Sequence, residues 1–109
     1  MRRHEVRLGR QALVDLEDIA DYVASHDSPA MADQVARRIE QIILSLADSP
    51  NRGAHPHEPS EVGNRSFREV HYRPYRIVYR VYAREVVILL IADGRRDMRA
   101  LLARRLLGA

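Results

Sequence analysis

The side chains best suited to recognising a charged ligand in this chain are arginines in the stretch 65–97. They are Arg68, Arg76, Arg80, Arg95 and Arg96. Arginine is always protonated, and its planar fork of N–H donors matches the oxygens of a phosphate or a carboxylate. We therefore predict that these five residues contact a target or an acidic partner protein. The alternative is that they are solvated or pair with neighbours such as Glu69 and Glu85.

The residue types that are missing exclude several kinds of chemistry. All 18 basic residues other than histidine are arginine, and the chain has no cysteine. A lysine Schiff base, a phosphate-binding lysine, a cysteine nucleophile, a disulfide and a thiolate metal site are therefore ruled out. A genome rich in arginine codons explains the absence of lysine as well as a role in phosphate or carboxylate recognition does. His55 and His57 match no usual metal-ligand spacing, so we expect no metal site and no cofactor.

The net charge of +3 hides a difference between the two halves of the chain. Residues 1–50 contain six arginines and nine acids, which gives −3, whereas residues 51–109 contain twelve arginines and six acids, which gives +6. The basic half is also the half with the strand-like sequences. No run of residues is apolar enough to cross a membrane, and the first residues lack the apolar core of a signal peptide. We expect a cytoplasmic protein.

The first half predicts a strand followed by two helices. Residues 4–8 alternate as a short strand does, and from Gln11 onward the apolar residues recur every three or four positions, as on an amphipathic helix. Ser28 is a suitable N-cap for a second helix, and Pro29 fits the first turn of that helix. The second helix runs to about Ala47. Because only two or three residues separate the helices, we expect an antiparallel helical hairpin.

The second half predicts strands and a final helix. Residues 49–64 contain three of the five prolines and form a long loop. Residues 75–82 alternate, and residues 86–91 are continuously apolar, which is typical of a central strand. The helix over 96–107 either covers the sheet or presents a surface to a partner. We predict one α+β domain over residues 1–109, ordered β-α-α-β-β-β-α, with the hairpin packed on one face of an antiparallel sheet.

This order resembles the RelE/ParE toxin superfamily, and several short motifs carry the resemblance. They are Ala12, Asp15, Leu16, Ile19, Ala20 and Tyr22 in the first helix, then Leu46, Pro50 and Gly53, then YRIVY at 75–79 and IADGRRD at 91–97. The resemblance implies the toxin of a type II toxin–antitoxin pair, with a small ParD-like antitoxin as its partner. The antitoxin neutralises such a toxin by wrapping an extended or helical tail around it.

The superfamily has two classes of activity, and the resemblance permits a choice between them. RelE-like members are ribosome-dependent messenger RNA endonucleases, and Arg76 and Arg96 fall at the positions of two of their phosphate-contacting arginines. Their strand lysines, however, fall on Phe67 and Glu69, and their final-helix tyrosine or histidine falls near Leu101 and Leu102. ParE-like members poison DNA gyrase and need no such acid–base groups. We therefore predict a ParE-like toxin without catalytic residues; a RelE-like endonuclease and an inactive binding protein of the same fold remain as alternatives.

Overall fold

The computed structural model describes residues 3–58 and 66–107, and its elements follow the predicted order. These elements are β1 (Glu5–Leu8), α1 (Arg10–His26), α2 (Pro29–Ser45), β2 (Phe67–Tyr72), β3 (Tyr75–Val81), β4 (Glu85–Asp93) and α3 (Met98–Leu107). The predicted α+β order β-α-α-β-β-β-α is thereby confirmed. No helix among the described residues is both long and apolar enough to span a membrane.

The four strands form one sheet in the order β1-β4-β3-β2. β2 pairs antiparallel with β3, and β3 pairs antiparallel with β4, as predicted. The prediction of an antiparallel sheet was wrong for β1, which pairs parallel with β4 through residues 5–8 and 85–88. A parallel neighbour requires a long connection, and the two helices and two strands between β1 and β4 provide it.

The helical hairpin begins and turns where the sequence predicts. The side-chain oxygen of Ser28 accepts a hydrogen bond of 3.0 Å from the backbone N–H of Met31, and Pro29 occupies the first turn of α2. This N-cap satisfies one of the amide groups that have no partner inside the helix. The short break at Asp27 and Ser28 turns α2 back along α1, so both helices can place their apolar side on the sheet.

The sheet is covered on both faces. The hairpin packs on one face, around a core of fully buried residues such as Ile39, Ile77 and Ile88. Helix α3 packs on the other face, where its Met98, Leu101 and Leu102 pack with strand residues in a second core cluster. Of the two alternatives for the last helix, the structure shows that its apolar side covers the sheet. It also explains why β4, which lies between these layers, is apolar without alternation.

Beyond the end of β1, two side chains form hydrogen bonds with backbone groups of β4. Asp15 of α1 accepts a hydrogen bond of 3.0 Å from the backbone N–H of Ile91. Arg105 of α3 donates a hydrogen bond of 3.1 Å to the backbone carbonyl oxygen of Leu89. The guanidinium of Arg105 also binds both carboxylate oxygens of Asp15, each at 3.0 Å. This ion pair therefore satisfies backbone groups of β4 and joins the helices that lie on opposite faces of the sheet.

Candidate functional site

The most buried of the five predicted arginines is Arg76, in the middle of β3. Its side chain is 10% exposed and is held by two carboxylates that are at least as buried. Both terminal nitrogens of its guanidinium bind Glu58, at 2.7 and 2.8 Å, and its Nε donates to Glu69 at 2.7 Å. The hydrogen bonds to Glu58, and to a lesser extent that to Glu69, raise the pKa of Arg76. The same contact with Arg76 holds the pKa of Glu58 below its ordinary value.

The strand pairing and one glycine position this cluster. Arg76 lies opposite His71 in the pairing of β2 with β3, and Glu69 lies two residues before His71. Diagonal neighbours on one face of a sheet are within reach of long side chains, which places Glu69 beside Arg76. A Cβ atom on Gly94 would lie 3.0 Å from Cδ of Arg76 and 3.3 Å from the carbonyl oxygen of Pro74. Glycine at 94 therefore leaves room for the stem of the arginine.

Arg68 does not share a sheet face with Arg76 and Arg80. Its pairing partner across β2 and β3 is Tyr79, whereas Arg80 pairs with Phe67. The two residues between Tyr72 and Tyr75 set this register. Even-numbered residues of β2 therefore lie on the opposite face of the sheet from even-numbered residues of β3. The guanidinium of Arg68 donates to the backbone carbonyl oxygens of Asn51 and Gly53, at 3.0 and 2.8 Å. Arg68 thus fixes the segment that follows α2.

Tyr79 holds the same segment from inside the core. Its side chain is fully buried, and its hydroxyl donates to the carbonyl oxygen of Pro50 at 2.8 Å and accepts from the backbone N–H of Gly53 at 3.0 Å. Burial raises the pKa of Tyr79, so the phenol stays neutral. This tyrosine serves the fold and is not available to stack on a ligand.

Arg95 and Arg96 lie in the turn before α3 and not in the helix, which begins at Met98 instead of the predicted Arg96. The guanidinium of Arg95 binds the carboxylate of Asp93 through Nε and a terminal nitrogen, at 2.9 and 2.6 Å. This contact lowers the pKa of Asp93. Asp97, rather than the arginines, is at the start of the helix, where its carboxylate accepts from the backbone N–H of Ala100 at 3.1 Å.

Three of the five arginines, Arg68, Arg80 and Arg96, form no ion pair with a carboxylate among residues 3–58 and 66–107. Arg68 is bound to backbone carbonyl oxygens, whereas Arg80 and Arg96 are exposed and have no side-chain hydrogen bond within these residues. The guanidinium of Arg80 lies 5.1 Å from the centre of the Tyr82 ring, which is itself 45% exposed. Such a cation–π pair leaves the N–H donors of the guanidinium free to bind another group. Within the described residues, Arg80 and Arg96 are therefore the two cations of the predicted set whose guanidinium groups are not bound by oxygens of the chain.

The five arginines do not form one continuous patch. Arg68 and Arg80 line a depression of about 300 Å³, and Arg76 and Arg95 line another of about 430 Å³. Arg95 also lines, with Arg96, a cleft of about 480 Å³ beside α1. The structure thus brings the arginines together in pairs, and the pair of Arg76 and Arg95 includes the buried arginine.

The residues at the endonuclease positions named above are parts of the core. Phe67, Leu101 and Leu102 are each at most 7% exposed and pack in the cluster beneath α3. Glu69 is 6% exposed and is bound to Arg76. A general acid or base must reach its substrate and carry or accept a proton. In this arrangement none of these four side chains can both reach a substrate and exchange a proton with it.

The two histidines of the long loop have different surroundings. Nδ1 of His55 lies 2.8 Å from the backbone carbonyl oxygen of Phe67, which fixes the ring against β2. His57 is exposed, and its Nε2 lies 3.9 Å from Glu58. No group of three or more histidine, aspartate or glutamate side chains within residues 3–58 and 66–107 is arranged to hold a metal ion.

Sequence reasoning missed two ion-paired carboxylates. No sequence pattern points to the contact of Glu58 with Arg76, which spans eighteen residues of sequence. Asp15 was named as a motif residue of the first helix, although it binds Arg105 from ninety residues away. One local signal was present for Asp15, since it lies directly beside the apolar Leu16 at the margin of the stripe that faces the sheet.

Comparison with protein families identifies the chain. The family model described as the ParE toxin of the type II toxin–antitoxin system parDE matches residues 6–98. The chain belongs to the ParE toxin family. The predicted choice of the ParE-like over the RelE-like group is therefore confirmed at the level of the family. A search of curated proteins finds no significant match.

Solved structures with the same fold include both branches of the superfamily. A chain of a chromosomal ParDE toxin–antitoxin system from P. aeruginosa is 26% identical, with a TM-score of 0.69, over 84% of this ParE-family chain and 96% of the other. A chain of the RelBE2 toxin–antitoxin complex from Mycobacterium tuberculosis is 18% identical, with a TM-score of 0.61, over 84% and 98%. A double arginine-to-alanine variant of the E. coli toxin RelE in the free state is 13% identical, with a TM-score of 0.61, over 93% and 94%. The last two likenesses concern the fold alone.

Proposed function

We propose that this ParE-family toxin arrests bacterial growth by binding DNA gyrase and that a cognate ParD-like antitoxin neutralises it. Membership of the ParE family supports the proposal that the chain is a toxin and that it belongs to a toxin–antitoxin pair. The ParDE system of P. aeruginosa, a structural relative at 26% identity, supports an antitoxin as partner. The gyrase target rests on the resemblance to ParE-like toxins.

The observation that carries the choice of a binding mechanism is the burial of the endonuclease positions. Phe67, Leu101 and Leu102 have no group that titrates, and Glu69 is bound to a buried arginine. Cleavage of RNA requires a group that accepts the proton of the ribose hydroxyl, and positioned donors that stabilise the charge on the phosphate. A toxin that acts by binding its target requires neither.

Arg80 and Arg96 are our proposed contacts to the target or the antitoxin. Both are exposed and lack a carboxylate partner within the described residues, so binding would not first have to break an ion pair. Arg68, Arg76 and Arg95 are each held by oxygens of the chain itself. A matched control is Arg37→Ala on α2, because Arg37 is also exposed and the replacement removes the same charge.

The experiment that tests the function is expression of the chain alone from a tightly controlled promoter in a bacterium. The supercoiling of a reporter plasmid and the integrity of cellular messenger RNA are measured during growth arrest. Loss of negative supercoiling with intact transcripts supports the proposal. Codon-phased cleavage of transcripts with normal supercoiling would establish the endonuclease instead, and growth without arrest would indicate an inactive protein of this fold. Arg80→Ala and Arg96→Ala should weaken the arrest, whereas Arg37→Ala should not.

A further inference from the structure

Glu58 is a second carboxylate on an arginine that already has one. Glu69 binds the Nε of Arg76 at 2.7 Å and also contacts one of its terminal nitrogens. Glu58 binds the two terminal nitrogens in the parallel, fork-to-fork geometry that guanidinium and carboxylate groups prefer. One cation thus faces two anions, and all three side chains are at most 10% exposed.

The two carboxylates come from different kinds of structure. Glu69 belongs to β2, next to β3, so its position is fixed by the sheet. Glu58 belongs to the loop before β2 and lies outside every helix and strand. Taking a charge out of water is costly unless it is paired, and one carboxylate is enough to neutralise one guanidinium. The fold therefore requires Glu69 to accompany Arg76, but it does not require Glu58 for charge balance.

The surroundings of Arg76 favour an anion. The depression of about 430 Å³ beside its stem is lined by His71, Arg73 and Arg95 among others, and no acidic residue contributes to its lining. Arg73 is exposed and has no ion-pair partner within the described residues. Basic side chains therefore surround the stem of Arg76 on this side, and complementary charge of this kind guides an acidic segment towards the cluster.

We propose that the terminal nitrogens of Arg76 are a binding site for a carboxylate side chain of the antitoxin, and that Glu58 fills this site in the free toxin. Glu58 is then an internal competitor: it keeps the buried guanidinium paired until the carboxylate of the partner replaces it. The proposal rests on the proposed function in that it names the partner as the antitoxin. The exchange conserves charge, because one carboxylate leaves the guanidinium and another takes its place.

A nuclear magnetic resonance titration of the full chain tests this site directly. The Nε–H resonance of Arg76 is assigned by its absence in Arg76→Lys. The probe is a short peptide of alternating glutamate and alanine, and its control is the same peptide with glutamine in place of glutamate. The toxin variants are Glu58→Ala and, with the same change of charge on an exposed site of α2, Glu40→Ala. Thermal unfolding of each variant establishes that it is folded, and Glu58→Gln replaces Glu58→Ala if the latter does not fold.

We expect the glutamate peptide to bind more tightly only to the variant that lacks the carboxylate of Glu58. An internal competitor lowers the apparent affinity of its site in proportion to the fraction of time that the site is free, so Glu58→Ala should bind the glutamate peptide about tenfold more tightly than the unaltered chain. The Arg76 resonance should shift on binding. Glu40→Ala should remain within about twofold of the unaltered chain, and the glutamine peptide should bind none of the proteins through Arg76.

Three results would overturn the proposal. The first is equal affinity of Glu58→Ala and Glu40→Ala for the glutamate peptide, which would make Glu58 a structural residue. The second is binding that leaves the Arg76 resonance unchanged. The third is a larger gain for a short single-stranded RNA than for the peptide, which would assign the site to phosphate. None of them bears on gyrase, since the growth-arrest experiment measures the target independently of Arg76.

Discussion

Replacing Asp15 by alanine should destabilise this protein far more than its position on a largely solvated helix suggests. The carboxylate of Asp15 binds the guanidinium of Arg105 through two hydrogen bonds and accepts the backbone N–H of Ile91. Asp15→Ala removes all three contacts at once. It leaves the guanidinium of Arg105, which is 17% exposed, without its anion, and the amide of Ile91 without its acceptor.

The size of the effect follows from these losses. Removing one partner of a buried ion pair costs about 3–5 kcal/mol, and the lower end applies because both side chains keep some contact with water. For a domain of this size, about 1 kcal/mol corresponds to roughly 4 °C in the midpoint of thermal unfolding. We therefore expect a loss of about 3 kcal/mol in the free energy of unfolding and a midpoint about 12 °C lower.

The matched control is Asp18→Ala, three residues further along α1. Asp18 is exposed and has no hydrogen bond or ion pair within the described residues. Both variants gain the same helix propensity from alanine and lose the same charge, so their difference isolates the contacts of Asp15. Asp18→Ala should change the free energy of unfolding by less than about 0.5 kcal/mol.

Urea unfolding followed by circular dichroism measures both variants, and a double-mutant cycle with Arg105→Met measures the pair itself. The coupling between the two sites should be at least about 1 kcal/mol, because residues in one ion-pair network do not act additively. If Asp15→Ala is no more destabilising than Asp18→Ala, the ion pair does not hold α3 to α1. The backbone groups of Leu89 and Ile91 in β4 would then not depend on this ion pair.

Three further predictions concern the cap, the buried phenol and pH. Ser28→Ala should cost about 1 kcal/mol of stability because it removes an N-cap, whereas Ser25→Ala on the exposed side of α1 should cost clearly less; equal urea midpoints would contradict this. Tyr79→Phe should cost about 1–3 kcal/mol, since both hydrogen bonds of the buried hydroxyl are lost, and an unchanged midpoint would contradict it. Because Arg76 lowers the pKa of Glu58, the stabilisation from its charge is present above the ordinary value of 4.5 and is lost as the pH falls below it; the stability gap to Glu58→Gln should shrink there, and a constant gap would refute it.

Local sequence signals were sufficient for the elements and their order. Ser28 and Pro29 marked the start of α2, and the alternation of residues 75–82 marked β3, because caps and side-chain periodicity act over a few residues. The parallel pairing of β1 and the position of α3 on the far face of the sheet were not predicted. Both depend on which surfaces meet after the chain folds, and no short stretch of sequence specifies that.

The site was harder to predict than the fold, because the environment of each arginine is set by distant residues. The sequence left open whether Arg76 contacts a partner or pairs with Glu69; in the folded chain it is neutralised by Glu69 and also by Glu58. The face of Arg68 depended on the length of the turn between β2 and β3, where a change of one residue reverses the side on which a side chain lies. Composition identified the arginines, but their availability is a property of the tertiary structure.

We propose that this ParE-family toxin acts on DNA gyrase by binding and not by cleaving RNA. A supercoiling assay with purified DNA gyrase, relaxed plasmid and increasing concentrations of the purified chain tests this, alongside a translation extract with labelled messenger RNA. We expect supercoiling to be inhibited as the concentration of the chain rises and the messenger RNA to stay intact. Unaffected supercoiling together with cleavage of the messenger RNA would refute the proposal.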